Sequence, residues 1–238
     1  MGPTDKHRQE DFVQHLFDKI ARRYDVLNSI LTLNQDSYWR SFAAEKATIK
    51  AGDSVLDVCC GTGKLSLALA ERAGFQGHVT GLDFSQDMLR QAKENIKNTP
   101  YAKTISFLAA NALHLPFTNS AFDCAAIGFG LRNVSDIRGV LAEMYRVIKP
   151  GGTIVAAELS KPSLPILKQL YYLYFNHLLP LIGNLWSNND HPYYNLPASL
   201  KTLPDSPAIH ALLLDTGLRQ VTTYQLTGGI AAVYVGIK

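Results

Sequence analysis

From Ser54 to Leu159 the chain alternates short apolar runs with stretches whose apolar residues recur every three or four positions. The runs Ser54 to Cys59, His78 to Asp83, Ile105 to Ala110, Phe122 to Gly128 and Thr153 to Leu159 are too short for helices. Each ends in small or polar residues, which predicts strands. Between them, Leu65 to Ala73, Ser85 to Lys97 and Asp136 to Ile148 read as helices. The last of these presents Ile137, Val140, Leu141, Met144, Val147 and Ile148 along one stripe. Ser85 and Ser135 stand where N-caps belong, and Pro150-Gly151-Gly152 ends the third helix. Such alternation predicts an α/β fold with a mostly parallel sheet covered on both faces.

The pattern changes at both ends. An N-terminal helical segment is expected over about residues 9–50, opening with Phe12, Leu16, Phe17 and Ile20 at helical spacing. Residues 161–204 are rich in Leu, Tyr, Pro and Asn and alternate poorly, which predicts an insertion, helical at first and looped after Pro192. A helix from about Ser206 to Asp215 leads to Gly217. Two β-rich runs, Gln220 to Leu226 and Ile230 to Ile237, then meet at Thr227-Gly228-Gly229 as a hairpin. The sheet should therefore end with one antiparallel strand, all within a single domain spanning 1–238.

Composition narrows the function classes. The chain has 238 residues, 47% hydrophobic and 18% charged, with a formal net charge of +3 and no run of four Lys/Arg, so nucleic acid is not an expected partner. Residues 1–11 lack the apolar stretch of a secretory signal. The most apolar segment, Leu164 to Trp186, is interrupted by Lys168, Gln169, Asn176, His177 and Pro180, where a spanning helix needs ~20 apolar residues. A cytoplasmic protein is expected. Cys59, Cys60 and Cys124 include no CxxC pair, so no metal site is expected and the cysteines read as small, half-buried loop residues.

Candidate chemistry centres on DVCCGTGK, Asp57 to Lys64. A glycine-rich turn between strand and helix lets backbone approach a ligand, with helix N–H groups behind it. The P-loop pattern fails, because Leu65 follows Gly63-Lys64 and no glycine stands five positions before Gly63. The dinucleotide fingerprint wants glycine where Ser66 stands, which disfavours NAD. Asp57, at the strand end, would oppose a pyrophosphate but attract an ammonium or sulfonium. Asp83 ends the next strand, where an acid accepts from a ribose diol. Together with Gly61, Thr62 and Gly63, and with Asn111-Ala112 after the third strand for an adenine edge, this suits S-adenosylmethionine. On position alone, Asp57 as a turn cap, Asp83 as a residue before a helix cap and Asn111 as a turn residue remain open.

The sequence resembles the ubiquinone/menaquinone biosynthesis C-methyltransferases over nearly its whole length. The matching stretches are YDVLNSILTLNQDSYWR (Tyr24 to Arg40), VLDVCCGTGKL (Val55 to Leu65), NALHLPF (Asn111 to Phe117), IGFGLRNV (Ile127 to Val134), RVIKPGGTIVAAELSKP (Arg146 to Pro162) and LTGGIAAVYVGIK at the C-terminus. The resemblance implies a class I, Rossmann-like, seven-stranded methyltransferase fold. It also implies that Thr62, Asp83, Asn111 and Ala112 contact S-adenosylmethionine, with Gly128 against it and S-adenosylhomocysteine as product. Leu27, Thr32, Asp36 and Lys64 depart from the family, which often has Met, Ser, His and an acidic residue there.

The implied reaction methylates a ring carbon of a polyprenylated quinol, demethylmenaquinol being favoured over a benzoquinol or another small phenol. A module that binds S-adenosylmethionine without chemistry is the non-enzyme alternative. Ionising a ring hydroxyl of pKa ~10 at pH 7 costs about 4 kcal/mol. One Arg at ~4 Å and an effective dielectric of ~20 returns at most a similar amount. That arithmetic points to Arg132 as the cation facing the phenolate, with Asn133 orienting the oxygen and Tyr24, beside Asp25, closing the site. An arginine held by structural carboxylates is the other reading of Arg132. Glu158 either faces the site edge or pairs with Lys161, and His177 and His191 are weaker candidate bases. The 161–204 insertion is expected to cap the substrate site and meet the inner face of the membrane. A homo-oligomer is compatible with the sequence.

Overall fold

The computed structural model describes the backbone of residues 3–162, 169, 199 and 203–238, with side chains from Phe12 onward. Two helices lead the chain, α1 (Pro3–Leu31) and α2 (Gln35–Lys46). The alternating body follows as β1 (Ser54–Val58), α3 (Lys64–Ala73), β2 (His78–Asp83), α4 (Gln86–Ile96), β3 (Ile105–Ala109), β4 (Phe122–Gly128), α5 (Ile137–Val147) and β5 (Ile148–Leu159). It closes with α6 (Ser206–Asp215), β6 (Arg219–Leu226) and β7 (Ala231–Ile237).

The seven strands form one sheet in the order β3-β2-β1-β4-β5-β7-β6. β1 to β5 run parallel, and β7 runs antiparallel to both β5 and β6, as the C-terminal hairpin predicts. β1 lies between β2 and β4, so the chain reverses its direction of sheet growth there. A crevice outside the carboxyl ends of β1 and β4 results, the place where open α/β sheets take ligands.

Alternation along β1 separates the two faces. Val55 packs with Leu65, Leu69 and Ala73 of α3 and with Trp39 and Ala43 of α2. Leu56 and Val58 point the other way, into Leu141, Met144, Ile209 and Leu213 from α5 and α6. Asp57, between them, falls on the α3 side. α2 is tied to the far edge as well, where Trp39 Nε1 donates to Thr227 Oγ1 at 2.8 Å.

Two details differ from the sequence reading. Ser85 caps α4 as expected, accepting from Met88 N at 3.1 Å, but α5 is capped by Asp136, which accepts from Gly139 N at 3.0 Å, and not by Ser135. Both residue types cap well, and the backbone turn selects the later one. Pro150-Gly151-Gly152 does not precede β5 but interrupts it: Phe122 pairs with Ile148, then Cys124 with Thr153. Gly152 fits there because a Cβ would lie 2.6 Å from Asp123 O. The expected substrate cap, with Leu164 to Trp186, His177 and His191, lies outside the described residues apart from positions at its edges and Gln169 and Ser199.

Candidate active site

At the end of β1 the chain turns through three left-handed residues, Cys59 (φ 55), Gly61 (φ 54) and Gly63 (φ 79), before α3 begins at Lys64. Gly63 is required by contact too, since a Cβ there would stand 3.1 Å from the Phe107 ring and 3.2 Å from Ala92. The turn borders a cleft of about 960 Å³, its open mouth included. Asp57, Gly61, Thr62, Asp83, Asn111, Ala112, Gly128, Asn133 and Tyr24, all named from the sequence, line that one cleft. Gly63 shapes the turn from behind.

Asp57 is fully buried. Its Oδ2 accepts from Ser66 Oγ at 2.6 Å, whereas Oδ1 has no protein partner. The serine that breaks the dinucleotide fingerprint therefore anchors this carboxylate. Burial pushes the Asp57 carboxyl up to about 7, partly offset by the Ser66 bond. An unmatched buried oxygen in a cleft wall suits a cationic ligand group, which restores the charged form.

Asp83 ends β2 and pins the turn to it: Oδ2 accepts from Gly61 N at 2.8 Å and Oδ1 from Ser85 N at 2.9 Å. Burial pushes it up to about 6 despite those backbone donors. Each oxygen retains a second lone pair for ligand hydroxyls. Asn111 uses its own Oδ1 to accept from Leu113 N at 2.9 Å, which fixes the bend that brings Ala112 to the cleft.

The N-terminal helices close the other side. Thr62 Oγ1 donates to Asp25 Oδ1 at 2.7 Å, and Asn95 Nδ2 bonds both Asp25 Oδ2 and Thr62 O, at 2.9 and 3.0 Å. Asp25 is thus the clasp between α1 and the glycine turn. Lys64 Nζ lies 3.7 Å from Asp25 Oδ1 and 3.6 Å from Asp36 Oδ2, and Asp36 is also held by Arg40 at 2.6 Å.

Arg132 is held by a carboxylate and a carbonyl of its own surroundings. Its Nη1 donates to Glu158 Oε1 and to Phe129 O, each at 2.6 Å, and Glu158 is fully buried. Arg132 is not among the described residues lining the cleft, and these bonds tie its guanidinium to the loop. Glu158 likewise pairs with Arg132 rather than with Lys161 or the site edge. Asn133, next along the same 3-10 turn, does reach the cleft.

Sequence reasoning missed Arg40 and Phe129, both in the cleft wall, with the Arg40 guanidinium carbon 5.0 Å from the Phe129 ring centroid. Phe129 sits between two glycines in a matched motif, which was the available signal. The cysteines line the cleft beside Asp57 and Asp83, and burial together with those carboxylates pushes both thiols well up. Reactive cysteines need the opposite environment.

Residues 4–238 match the ubiE/COQ5 methyltransferase family. The chain belongs to that family. A demethylmenaquinone methyltransferase of Shouchella clausii is 42% identical over 230 residues, 97% of each chain. One from Desulfitobacterium hafniense is 40% identical over 227 residues, covering 95% of this chain and 90% of the relative. Among solved structures, a SAM dependent methyltransferase from Aquifex aeolicus superposes with a TM-score of 0.61 at 18% identity, over 83% of this chain and 88% of that one. At that identity the likeness is one of fold. The family's cleft residues in this chain fit S-adenosylmethionine as methyl donor, by the unmatched Asp57 oxygen and the turn in which Gly61 and Gly63 carry no side chain.

Proposed function

We propose that this chain transfers the methyl group of S-adenosylmethionine to a ring carbon of demethylmenaquinol, giving menaquinol. The observation that carries the reading is the fully buried Asp57 oxygen without a protein partner, set in the same cleft as Asn133 and Tyr24. The relatives named demethylmenaquinone methyltransferase support the acceptor.

In this reading Asp57 receives the cationic amino-acid end of the cofactor, and Asp83 receives its ribose hydroxyls. Ala112 and the Asn111 bend border its base, Thr62 holds the turn, and the absence of a side chain at Gly128 leaves room beside Leu65, which a Cβ would approach to 2.8 Å. Bound S-adenosylmethionine supplies an electrophilic methyl group. The protein's remaining task is to make the ring carbon electron-rich, which means lowering the ~4 kcal/mol cost of ionising a phenol of pKa ~10 at pH 7. Asn133 and Tyr24 present an amide and a phenol to the cleft, and they orient the quinol oxygen by hydrogen bonds. Arg132 is a positioning residue: its bond to Phe129 O and its ion pair with Glu158 hold the turn that aims Asn133.

The test is a methyl-transfer assay with isotopically labelled S-adenosylmethionine, offering reduced demethylmenaquinone and the corresponding demethylated benzoquinol. Label is expected on the naphthoquinol ring carbon, identified by mass spectrometry. Label on oxygen, or a preference for the benzoquinol, defeats the assignment.

A further inference from the structure

The cleft that holds Asp57 also holds a buried cation. Arg40, on α2, lines it and is 8% exposed. Its Nη1 donates to Asp36 Oδ2 at 2.6 Å and to Asp36 O at 3.1 Å. Nε and Nη2 make no hydrogen bond to a described residue, so part of the donor fork is unused.

An aromatic ring braces the guanidinium. Its carbon lies 5.0 Å from the centroid of Phe129, and that ring packs with Trp39, the neighbour of Arg40 on α2, at 5.9 Å. Phe129 holds a left-handed φ of 60°, which a bulky residue adopts only at a conformational cost. Phe129 N donates to Ala157 O at 2.7 Å, so β5 fixes this residue just past the end of β4. In the sheet register Asp57 pairs with Ala126 of the same strand. Arg40 is thereby held beside the end of the strand that neighbours Asp57. Burial raises the Asp57 carboxyl, and the Ser66 bond and then the Arg40 charge lower it, which places the guanidinium within electrostatic range.

Two cations line the cleft among the described residues, Arg40 and Lys64. Lys64 turns to the covering helices, its Nζ lying 3.4 Å from Ser29 Oγ, 3.6 Å from Asp36 Oδ2 and 3.7 Å from Asp25 Oδ1. Arg40 is the one with donors to spare near an unmatched acid.

We propose that Arg40 receives the carboxylate of S-adenosylmethionine, so that Asp57 and Arg40 together read its amino-acid end as a zwitterion. The ammonium and the carboxylate hang on one carbon, so a cleft that takes the first at Asp57 takes the second close by. A planar fork suits a carboxylate, and burial makes a charge-assisted bond there stronger than one at the surface. Arg40 then sets cofactor specificity: a ligand that carries the cation but lacks the acid leaves its donors unmatched. The assignment rests on Asp57 taking the cationic end of the cofactor, and it is independent of which quinol accepts the methyl group.

Calorimetric binding of S-adenosylmethionine and of its decarboxylated form, which keeps the sulfonium and the ammonium, tests it without any acceptor. The full chain is expected to bind the parent compound at least ~30-fold more tightly. Arg40→Gln should reduce that preference to under ~5-fold. Because this change alone strands the buried Asp36 charge, Arg40→Gln/Asp36→Asn is measured beside it and should lose the preference equally. Lys64→Met should keep it. An arginine that only braced α2 would, when removed, weaken both ligands alike and leave their ratio unchanged. Equal wild-type affinity for the two compounds would overturn the proposal, as would a preference that survives both Arg40 changes or one that Lys64→Met abolishes. Binding of neither compound by the wild-type chain would overturn it together with the cofactor reading, whereas a wrong acceptor would leave these ratios as they are.

Discussion

Lys64 Nζ sits 3.6 Å from Asp36 Oδ2, joining the first residue of the helix behind the cofactor turn to the helix that covers it. Both positions depart from the family pattern, which the sequence resemblance gives as an acid and a histidine, and the structure shows them in contact. The two departures form one pair of inverted charge. Asp36 is buried and already neutralised by Arg40, so Lys64 adds a second, looser contact and reaches Asp25 as well.

Replacing Lys64 with Glu would place a third carboxylate beside Asp25 and Asp36. With Lys64 partly exposed, the lost attraction and new repulsion amount to about 1–2 kcal/mol. A fall of several degrees in thermal midpoint is expected. Adding Asp36→His should recover most of it at a pH where the histidine is charged. A double-mutant cycle with no coupling would show that the two departures are independent.

Asp57 and Asp83 make the ligand-free protein sensitive to pH. Burial raises them from 3.8 to about 7 and about 6. Between roughly pH 4 and pH 7 the folded chain therefore binds more protons than the unfolded one. Stability without ligand should fall as pH rises through that window and level off above it. Cofactor affinity should change in the opposite direction, because the ligand's positive charge selects ionised Asp57. It should rise toward pH 7 by up to about tenfold per unit, following one released proton. Asp57→Asn should flatten this profile, raise the ligand-free melting point at pH 7.5, and weaken cofactor binding by about 2 kcal/mol, roughly 30-fold. Calorimetric titrations between pH 5.5 and 7.5 measure all three.

The Arg132–Glu158 pair separates a direct from an indirect role. A cation acting on the substrate would work better once its own carboxylate partner is neutralised, so Glu158→Gln would keep or raise turnover. A positioning role demands the reverse. Arg132→Ala and Glu158→Gln should both abolish most turnover while leaving cofactor affinity within about threefold. The Ala variant should also lose about 3–5 kcal/mol of stability by stranding the buried Glu158 charge. Combining the two changes should restore part of the stability and none of the turnover.

These residues mark how far the sequence could be read. The strand-turn-helix unit around Asp57 was legible because its apolar run, its glycines and its acid are contiguous, and local spacing determines their geometry. The C-terminal hairpin was legible for the same reason. Glu158 as the partner of Arg132 was not, since 26 residues and a complete helix separate them and only the parallel register of β4 and β5 brings them together. Asp25 meeting Thr62 across 37 residues is a similar case. Leu33 in left-handed geometry (φ 50) carried no warning of its own, although Asn34 after it is a residue type that tolerates that region.

The adjacent cysteines give the last test. Cys59 holds a left-handed φ that glycine adopts without strain, yet its Cβ lies where a side chain at Gly130 would come within 2.8 Å, so it fills space between two turns. Cys60 is buried against Gly81, whose missing Cβ would stand 3.0 Å from its sulfur. Both roles are steric, and burial beside Asp57 and Asp83 keeps both thiols protonated. Ser at both positions preserves size and should keep cofactor affinity within about tenfold, ~1.4 kcal/mol. Alkylating reagents should modify neither thiol appreciably in the folded protein at neutral pH, and both after unfolding. Rapid labelling of Cys59 in the native state, or a metal requirement that vanishes in the double serine variant, would mean that the turn carries thiol chemistry.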